Sequence, residues 1–182
     1  PVRIAGSAVT ARTVGGDISA AIYAIENSQK GDIIAVDSHG YTDTAYWGEN
    51  LCLSAINMGV AACILDGGCR DIEEIRELGF PVYAKGTCCN VGQISGYGAI
   101  NVPISCGKVQ VSPLDVILID GNGVAVVPYD DLERVYLKTK AMMETETNVS
   151  DKLKAGATIG KLIDIEKLMK STFNYKEKAL EK

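Results

Sequence analysis

The sequence predicts an α/β fold with a parallel or mixed central sheet, a β-rich second half and a long C-terminal helix. Three observations carry this. Apolar, strand-like runs alternate with short helical patterns up to Lys85. From residue 86 to 128 the pattern changes to short runs rich in Gly, Val and Ile with turn signals between them. Beyond Asp130 it becomes helical and charged. Strand–helix–strand alternation implies parallel pairing through crossover helices.

Each element has its own signal. "VRIAGSAVTAR" reads as a strand with a glycine break. "GGDISAAIYAIENSQKG" reads as a short helix: Asp17 stands at its N-cap, Ile18, Ile22 and Ile25 share a face, and Gly31 follows its end. "DIIAVDS" is a buried strand. "ENLCLSAINMG" is a second helix stopped by Gly59. "VAACILD" is the next strand, and Gly67-Gly68 of "LDGGCRD" let the chain turn sharply out of it. "DIEEIRELG" is a third helix, with Asp71 at the N-cap, Glu73 and Glu74 complementing the helix dipole and Gly79 at the end. "FPVYAK" is another strand. The Asn122-Gly123 pair between "VILID" and "VAVVP" predicts a hairpin. One long helix is expected from Asp130 to about Lys154, burying Leu132, Val135, Tyr136 and Met143. The predicted organisation is one domain over residues 1–160 and an amphipathic tail over 161–182.

Composition narrows the function. The chain has 182 residues, 47% hydrophobic and 23% charged, as in ordinary globular proteins. Its net charge of −5 argues against nucleic acid as partner, because phosphate binding needs a basic face. No apolar run approaches a membrane span and no signal peptide is visible. The chain starts at Pro1 without a Met, which leaves room for an upstream segment. The six cysteines contain no C-x-x-C and no Cys/His ligand sets, so a zinc site is not expected and a reducing cytoplasm fits them best.

The chemistry concentrates in two stretches. In open α/β sheets, ligands bind beyond the carboxyl ends of the strands, where "LDGGCRD" sits. Arg70 offers a planar fork for a carboxylate, and Asp71 a hard oxygen ligand for Mg²⁺ or Mn²⁺. The alternative for this pair is plain: Asp71 caps its helix and Arg70 is a solvated loop residue. "WGENL", residues 47–51, opens the preceding helix, whose backbone N–H groups can hold an anion. Glu49 there can orient or deprotonate a water, or merely complement the helix dipole. Twenty residues separate Glu49 from Arg70.

An acid, twenty residues, then Arg-Asp resembles the motif of the class II pyruvate aldolases that cleave 4-hydroxy-4-methyl-2-oxoglutarate. These belong to the wider RraA-like family, which also includes ribonuclease E regulators. "GDIIAVDSHG", "GVAACILDGGCRDIEEIRELGFPVYAKGT" and "VPISCGKVQVSPLDVILIDGNGVAVVP" resemble that family in its order, and the resemblance covers roughly residues 4–157. It implies a swivelling β/β/α domain, a trimer or a dimer of trimers, and sites shared between subunits. By position it implies that Asp71 binds a divalent metal, Mg²⁺ or Mn²⁺, and that Arg70 binds pyruvate and stabilises its enolate. Gly48, Glu49, Asn50 and Leu51 would hold the substrate carboxylate through backbone N–H groups. Glu49 would handle the catalytic water. Glu146, with Glu144, would reach the metal's waters from a neighbouring chain. The implied reaction is retro-aldol release of pyruvate from a 2-oxo acid, with oxaloacetate decarboxylation alongside. The alternatives are a ribonuclease-binding regulator without catalysis, or an aldolase for another sugar-derived keto acid. The chain departs from the pattern in three ways. The family's usual N-terminal segment is absent or cut away, position 49 is Glu where the aldolases commonly carry Asp, and the acids near 146 match loosely.

Other residues receive structural readings. His39, the only histidine, is expected as a polar loop residue, with a general acid as its alternative. Lys85 is expected to end its strand in solvent rather than form a Schiff base. Trp47 is expected to pack beside its loop, and "DGNG" to be a turn rather than a calcium loop. Cys88-Cys89 is expected to stay unbridged, because adjacent Cα atoms lie closer than disulfide geometry favours.

Overall fold

The computed structural model describes residues 3–173. The chain divides into two compact units, one ending at Leu132 and one beginning at Glu133.

The first unit is a mixed α/β domain. In chain order it contains β1 (Ile4–Arg12), α1 (Ser19–Glu26), β2 (Ile33–Asp37), β3 (Ala45–Trp47), α2 (Glu49–Met58), β4 (Ala62–Cys69), α3 (Ile72–Leu78) and β5 (Val82–Thr87). The β-rich half follows as β6 (Ala99–Ile100), β7 (Ile104–Cys106), β8 (Val109–Val111), β9 (Val116–Asp120) and β10 (Gly123–Val127). The main sheet runs β10-β9-β1-β2-β4-β3, with β5 also on β4 and β6 on β1. The β1–β2, β2–β4, β3–β4 and β4–β5 pairs are parallel, and those of β1–β9, β9–β10 and β1–β6 antiparallel. The sheet curls: Tyr83 Oη on β5 donates to the Asp120 carbonyl at the end of β9 at 2.9 Å.

Strand β2 shows why the domain has three layers. All five of its residues are buried, so it reads as a continuous apolar run. Ile34 and Val36 face the helices, against Ala21, Ala24 and Ile25 of α1 and Cys52 and Ala55 of α2. Ile33 and Ala35 face the other way, against Ile104, Val111, Ile117 and Ile119 of the β-rich half. This is the swivelling β/β/α arrangement. Each such buried branched side chain stabilises by about 1.5–3 kcal/mol.

Three local readings are corrected. Gly6 does not break β1; a Cβ there would lie 2.2 Å from the Gly31 carbonyl, so glycine permits close packing. Gly67 and Gly68 do not form a turn. They lie inside β4, which runs on to Cys69. The hairpin connection is Gly121-Asn122, and Gly123 opens β10 paired with Asp120. Strand β3 was not anticipated, since three residues are too short for a period to announce them.

The second unit holds most of α4 (Leu132–Lys154), then α5 (Ile159–Leu162) and α6 (Ile165–Phe173). The long helix is present, but its expected buried face is not: no α4 residue is buried, and Leu132, Tyr136 and Met143 are exposed. Of the expected tail, α6 aligns Ile165, Leu168 and Met169 at helical spacing, while residues 174–182 lie outside the described residues. Among the described residues no helix is long and apolar enough to cross a membrane.

Candidate functional site

The site is built where two strand–helix turns meet. The first is Trp47-Gly48 at the start of α2; the second is Arg70-Asp71 between β4 and α3. The Arg70 N–H donates to the Trp47 carbonyl at 3.1 Å and joins them. Gly48 is extended, with φ −169°. A Cβ there would lie 2.6 Å from Asp71 Oδ2 and 3.2 Å from Arg70 Cγ, so glycine lets the two turns close on each other without displacing these side chains.

Asp71 occupies the N-cap position of α3, yet its side chain does not cap that helix. Its backbone is left-handed, φ 56° and ψ 47°, whereas capping residues are normally extended. The carboxylate is directed across the junction instead. Oδ2 accepts the Glu49 N–H at 3.0 Å and lies 3.3 Å from Arg70 Nε. A left-handed non-glycine residue is held by its surroundings at some energetic cost, and such residues concentrate at functional sites. The simple helix-cap reading is therefore corrected. The N–H groups in the first turn of a helix lack intrahelical acceptors. In α2 that of Glu49 is engaged by Asp71, which leaves Asn50 and Leu51 to face an incoming anion.

These groups border a cleft of about 270 Å³. Trp47, Gly48, Asn50 and Leu51 form one side, and Arg70 and Asp71 a second; Ile18, Ile22, Val91 and Ile94 complete it. Trp47 is buried, stacks on Phe80 at 6.4 Å and donates through Nε1 to Cys52 Sγ at 3.1 Å, so it is a packing residue. The thiols nearby are inert. Burial pushes Cys52 up to about 11 despite that hydrogen bond, and Cys69 up to about 12.

The segment carrying Val91 and Ile94 went unnoticed in the sequence. It is pinned by Asp17, whose side chain is buried. Asp17 Oδ1 accepts the Ser19 N–H at 2.7 Å, and Oδ2 accepts Ser95 N–H at 2.9 Å and Tyr97 N–H at 3.5 Å. Burial pushes this carboxyl up, but the hydrogen bonds outweigh it and hold it below its ordinary 3.8. On the other side, Ala45 N–H donates to the Asn90 carbonyl at 2.7 Å.

The remaining candidates lie elsewhere. His39 sits in the loop after β2, 64% exposed, 3.6 Å from Asp37. Lys85 is on β5, 3.4 Å from Asp66 Oδ1. It lines a larger groove, about 480 Å³, on the opposite face of the sheet. The Cys106 thiol there is pushed up to about 12 by burial, so that groove offers no thiolate nucleophile. Cys88 and Cys89 are free thiols. Glu144 and Glu146 are exposed on α4, in the second unit.

Among the described residues no three His, Cys, Asp or Glu side chains are grouped to hold a metal. The cleft's donor is the single hard carboxylate of Asp71, with Glu49 on the adjoining turn. Such a set does not suit zinc but fits Mg²⁺ or Mn²⁺; Mg²⁺ in particular commonly keeps several waters beside one or two carboxylates.

Comparison with known proteins places the chain in a family. The chain is 36% identical over 138 residues to a Halalkalibacterium halodurans protein provisionally named 4-hydroxy-4-methyl-2-oxoglutarate aldolase, covering 76% of this chain and 66% of that one. A Thermus thermophilus protein named 4-hydroxy-4-methyl-2-oxoglutarate aldolase is 31% identical over 104 residues, 57% of this chain and 63% of its own. The chain thus spans just under two thirds of these relatives. The solved structure of the RNA-processing inhibitor RraA from Thermus thermophilis superposes with a TM-score of 0.66 at 30% identity, over 70% of this chain and 77% of that one. Residues 1–126, which include every residue lining the cleft, match the family described as Aldolase/RraA, and the chain belongs to this RraA-like family.

Proposed function

We propose that the chain is a divalent-metal-dependent lyase that releases pyruvate from a 4-hydroxy-2-oxo acid, such as 4-hydroxy-4-methyl-2-oxoglutarate, by retro-aldol cleavage. The observation that carries the reading is the hydrogen bond from Glu49 N–H to Asp71 Oδ2. It gathers an anion-binding helix start, a guanidinium and the Asp71 carboxylate at one cleft, with Glu49 on the adjoining turn, a set that capping alone does not require.

In this mechanism the substrate carboxylate rests on the N–H groups of Asn50 and Leu51. Arg70 directs its fork at the 2-oxo oxygen. Glu49 takes the proton of the 4-hydroxyl through a water, and the C3–C4 bond breaks. The electron pair moves to the 2-oxo oxygen, where Arg70 stabilises the enolate as its charge develops. A proton returned to C3 gives pyruvate. Asp71, with Glu146 from a neighbouring copy, would hold Mg²⁺ or Mn²⁺, which supplies Lewis-acid polarisation of the 2-oxo group when bound. Oxaloacetate loses CO₂ through the same enolate, so decarboxylation is a side activity. The working assembly is a homotrimer or hexamer in the cytoplasm.

The second reading is a regulator that binds a ribonuclease and does no chemistry, favoured by the likeness to the RNA-processing inhibitor. An assay of pyruvate release from a panel of 4-hydroxy-2-oxo acids, with and without Mg²⁺, separates the two. Mg²⁺-dependent release supports the lyase. No release from any member, together with inhibition of a ribonuclease, would replace it with the regulator.

A further inference from the structure

One wall of the cleft is assembled from two distant parts of the chain: Ile18 and Ile22 at α1, and Val91 and Ile94 from the segment between β5 and β6. Val91 and Ile94 are 52% and 74% exposed, so burial does not hold them. Hydrogen bonds to the residues entering α1 do. Gln93 N–H donates to the Gly16 carbonyl at 2.7 Å, Ile18 N–H to the Gln93 carbonyl at 2.9 Å, and Gly96 N–H to Ser19 Oγ at 2.8 Å. A Cβ at Gly92 would lie 2.6 Å from Ile18 Cγ2, so the two parts are packed to contact. Asp17 lies in this seam, buried and outside the cleft lining. Its carboxylate is engaged from both sides. Oδ1 accepts the Ser19 N–H of α1, and Oδ2 accepts the Ser95 and Tyr97 N–H groups of the segment. Hydrogen bonds to an ionised acceptor are stronger than neutral ones, and a binding site is only as precise as the groups that support it.

We infer that Asp17 is a positioning residue of the cleft: it touches no substrate, but it fixes the segment carrying Val91 and Ile94 against α1 and so sets the wall that a bound ligand meets. This rests on the lyase reading and adds a residue to it. The carboxylate suits the task because both of its oxygens accept. An Asn amide has one accepting oxygen, and its nitrogen is a donor. Asp17→Asn therefore leaves either the Ser19 N–H or the Ser95 and Tyr97 N–H groups facing a donor. The backbone bonds of Gln93 and Ile18 remain, so the chain folds while the segment loosens.

Two measurements on Asp17→Asn test this, with Ser28→Ala as the comparison. Ser28→Ala removes a buried hydrogen bond at the far end of α1, from Ser28 Oγ to the Ala24 carbonyl at 2.8 Å. The first measurement is hydrogen exchange over residues 90–98, which reads the segment without turnover. Exchange there should rise at least about tenfold in Asp17→Asn and stay unmoved in Ser28→Ala. The second is pyruvate release, with Mg²⁺, from the member of the 4-hydroxy-2-oxo acid panel that turns over fastest. A residue that only supports the fold lowers the active fraction, and hence kcat, at unchanged KM. A residue that positions a binding wall raises KM with kcat kept. Asp17→Asn should raise KM about tenfold, within the range of small apolar contacts, with kcat within about twofold. Ser28→Ala should leave KM unmoved. Unmoved exchange in Asp17→Asn, a fall in kcat at unmoved KM, or the same rise in KM in Ser28→Ala overturns the inference. No release by the native chain from any member of the panel overturns the lyase instead. The positioning role is then read from calorimetric binding of 4-hydroxy-4-methyl-2-oxoglutarate with Mg²⁺. A Kd about tenfold weaker in Asp17→Asn supports it, and an unmoved Kd, or no binding by the native chain, overturns it.

Discussion

Asp71→Asn separates structure from chemistry at this site. The side chain makes no cap to lose, so its cost must come from the cross-turn contacts. An Asn amide oxygen can still accept the Glu49 N–H that Asp71 Oδ2 now accepts at 3.0 Å. Replacing a charge-assisted hydrogen bond by a neutral one costs about 1 kcal/mol. The ion pair with Arg70, at 3.3 Å with side chains 35% and 29% exposed, is screened by solvent and adds only a fraction of that. Asn tolerates the left-handed backbone as well as Asp does. The melting temperature should therefore fall by only about 2–4 °C per kcal/mol lost in a chain of this size. Activity should respond differently, because the amide lacks the anionic oxygen. Pyruvate release should drop on the order of 10²–10³-fold, the size expected when one preorganised electrostatic group is lost. Mn²⁺ binding, followed by calorimetry, should weaken in parallel. Turnover and Mn²⁺ affinity within about twofold of the native chain, at unchanged melting, would refute the role given to Asp71.

Gly48→Ala puts a methyl 2.6 Å from Asp71 Oδ2 on an extended backbone that any residue can adopt. It should cost about 1–2 kcal/mol by overpacking and cut pyruvate release at least about tenfold, and a silent variant would contradict the closure described. EDTA should abolish pyruvate release and Mg²⁺ or Mn²⁺ restore it, while borohydride with substrate should trap nothing on Lys85, which is paired with Asp66. Asp17 lies below its ordinary 3.8 when folded, so its contribution is present above that value and is lost as pH falls through the folded one. Melting temperature against pH should therefore show a steeper acid decline in the native chain than in Asp17→Asn, and parallel curves would remove Asp17 as the cause. Sedimentation at working concentration should give a trimer or hexamer; a monomer would exclude Glu146 acting across an interface.

Much of the fold was legible because its signals are local. The apolar run of β2, the helix stops at Gly59 and Gly79 with φ of 77° and 66°, and the hairpin around residues 120–123 each need only a few neighbouring residues. The motif of Glu49, Arg70 and Asp71 was legible as a spacing. What joins its parts was not, because the Glu49–Asp71 hydrogen bond spans 22 residues and depends on a left-handed backbone that no local signal gives. The segment carrying Val91 and Ile94 was less legible still. Asp17 and Ser95 are 78 residues apart, and the segment between Thr87 and Ala99 has neither helical nor strand period. The buried face expected for α4 failed for another reason: periodicity marks an apolar stripe but does not name what covers it.

The misread glycines explain how the site is held. Two consecutive glycines after an apolar run ordinarily mark a turn. Here a Cβ at Gly67 would lie 2.0 Å from Ser38 Oγ, and one at Gly68 2.5 Å from the Thr44 carbonyl. The glycines clear space for the segment between β2 and β3 to lie directly against β4. With that segment in place, β4 continues past the point where β2 leaves it, and Gly68 and Cys69 pair with Ala45 and Trp47 on one side and with Gly86 and Thr87 on the other. That pairing sets Arg70 opposite Trp47, where its N–H meets the Trp47 carbonyl at 3.1 Å. Arg70 and Asp71 are thus carried at the end of a strand paired on both edges, not on a free loop. A site supported this way is held to tighter geometry than one on a mobile turn. A side chain at Gly68 would have to push back the Thr44 backbone, and it would displace Arg70 and Asp71 before touching either of them.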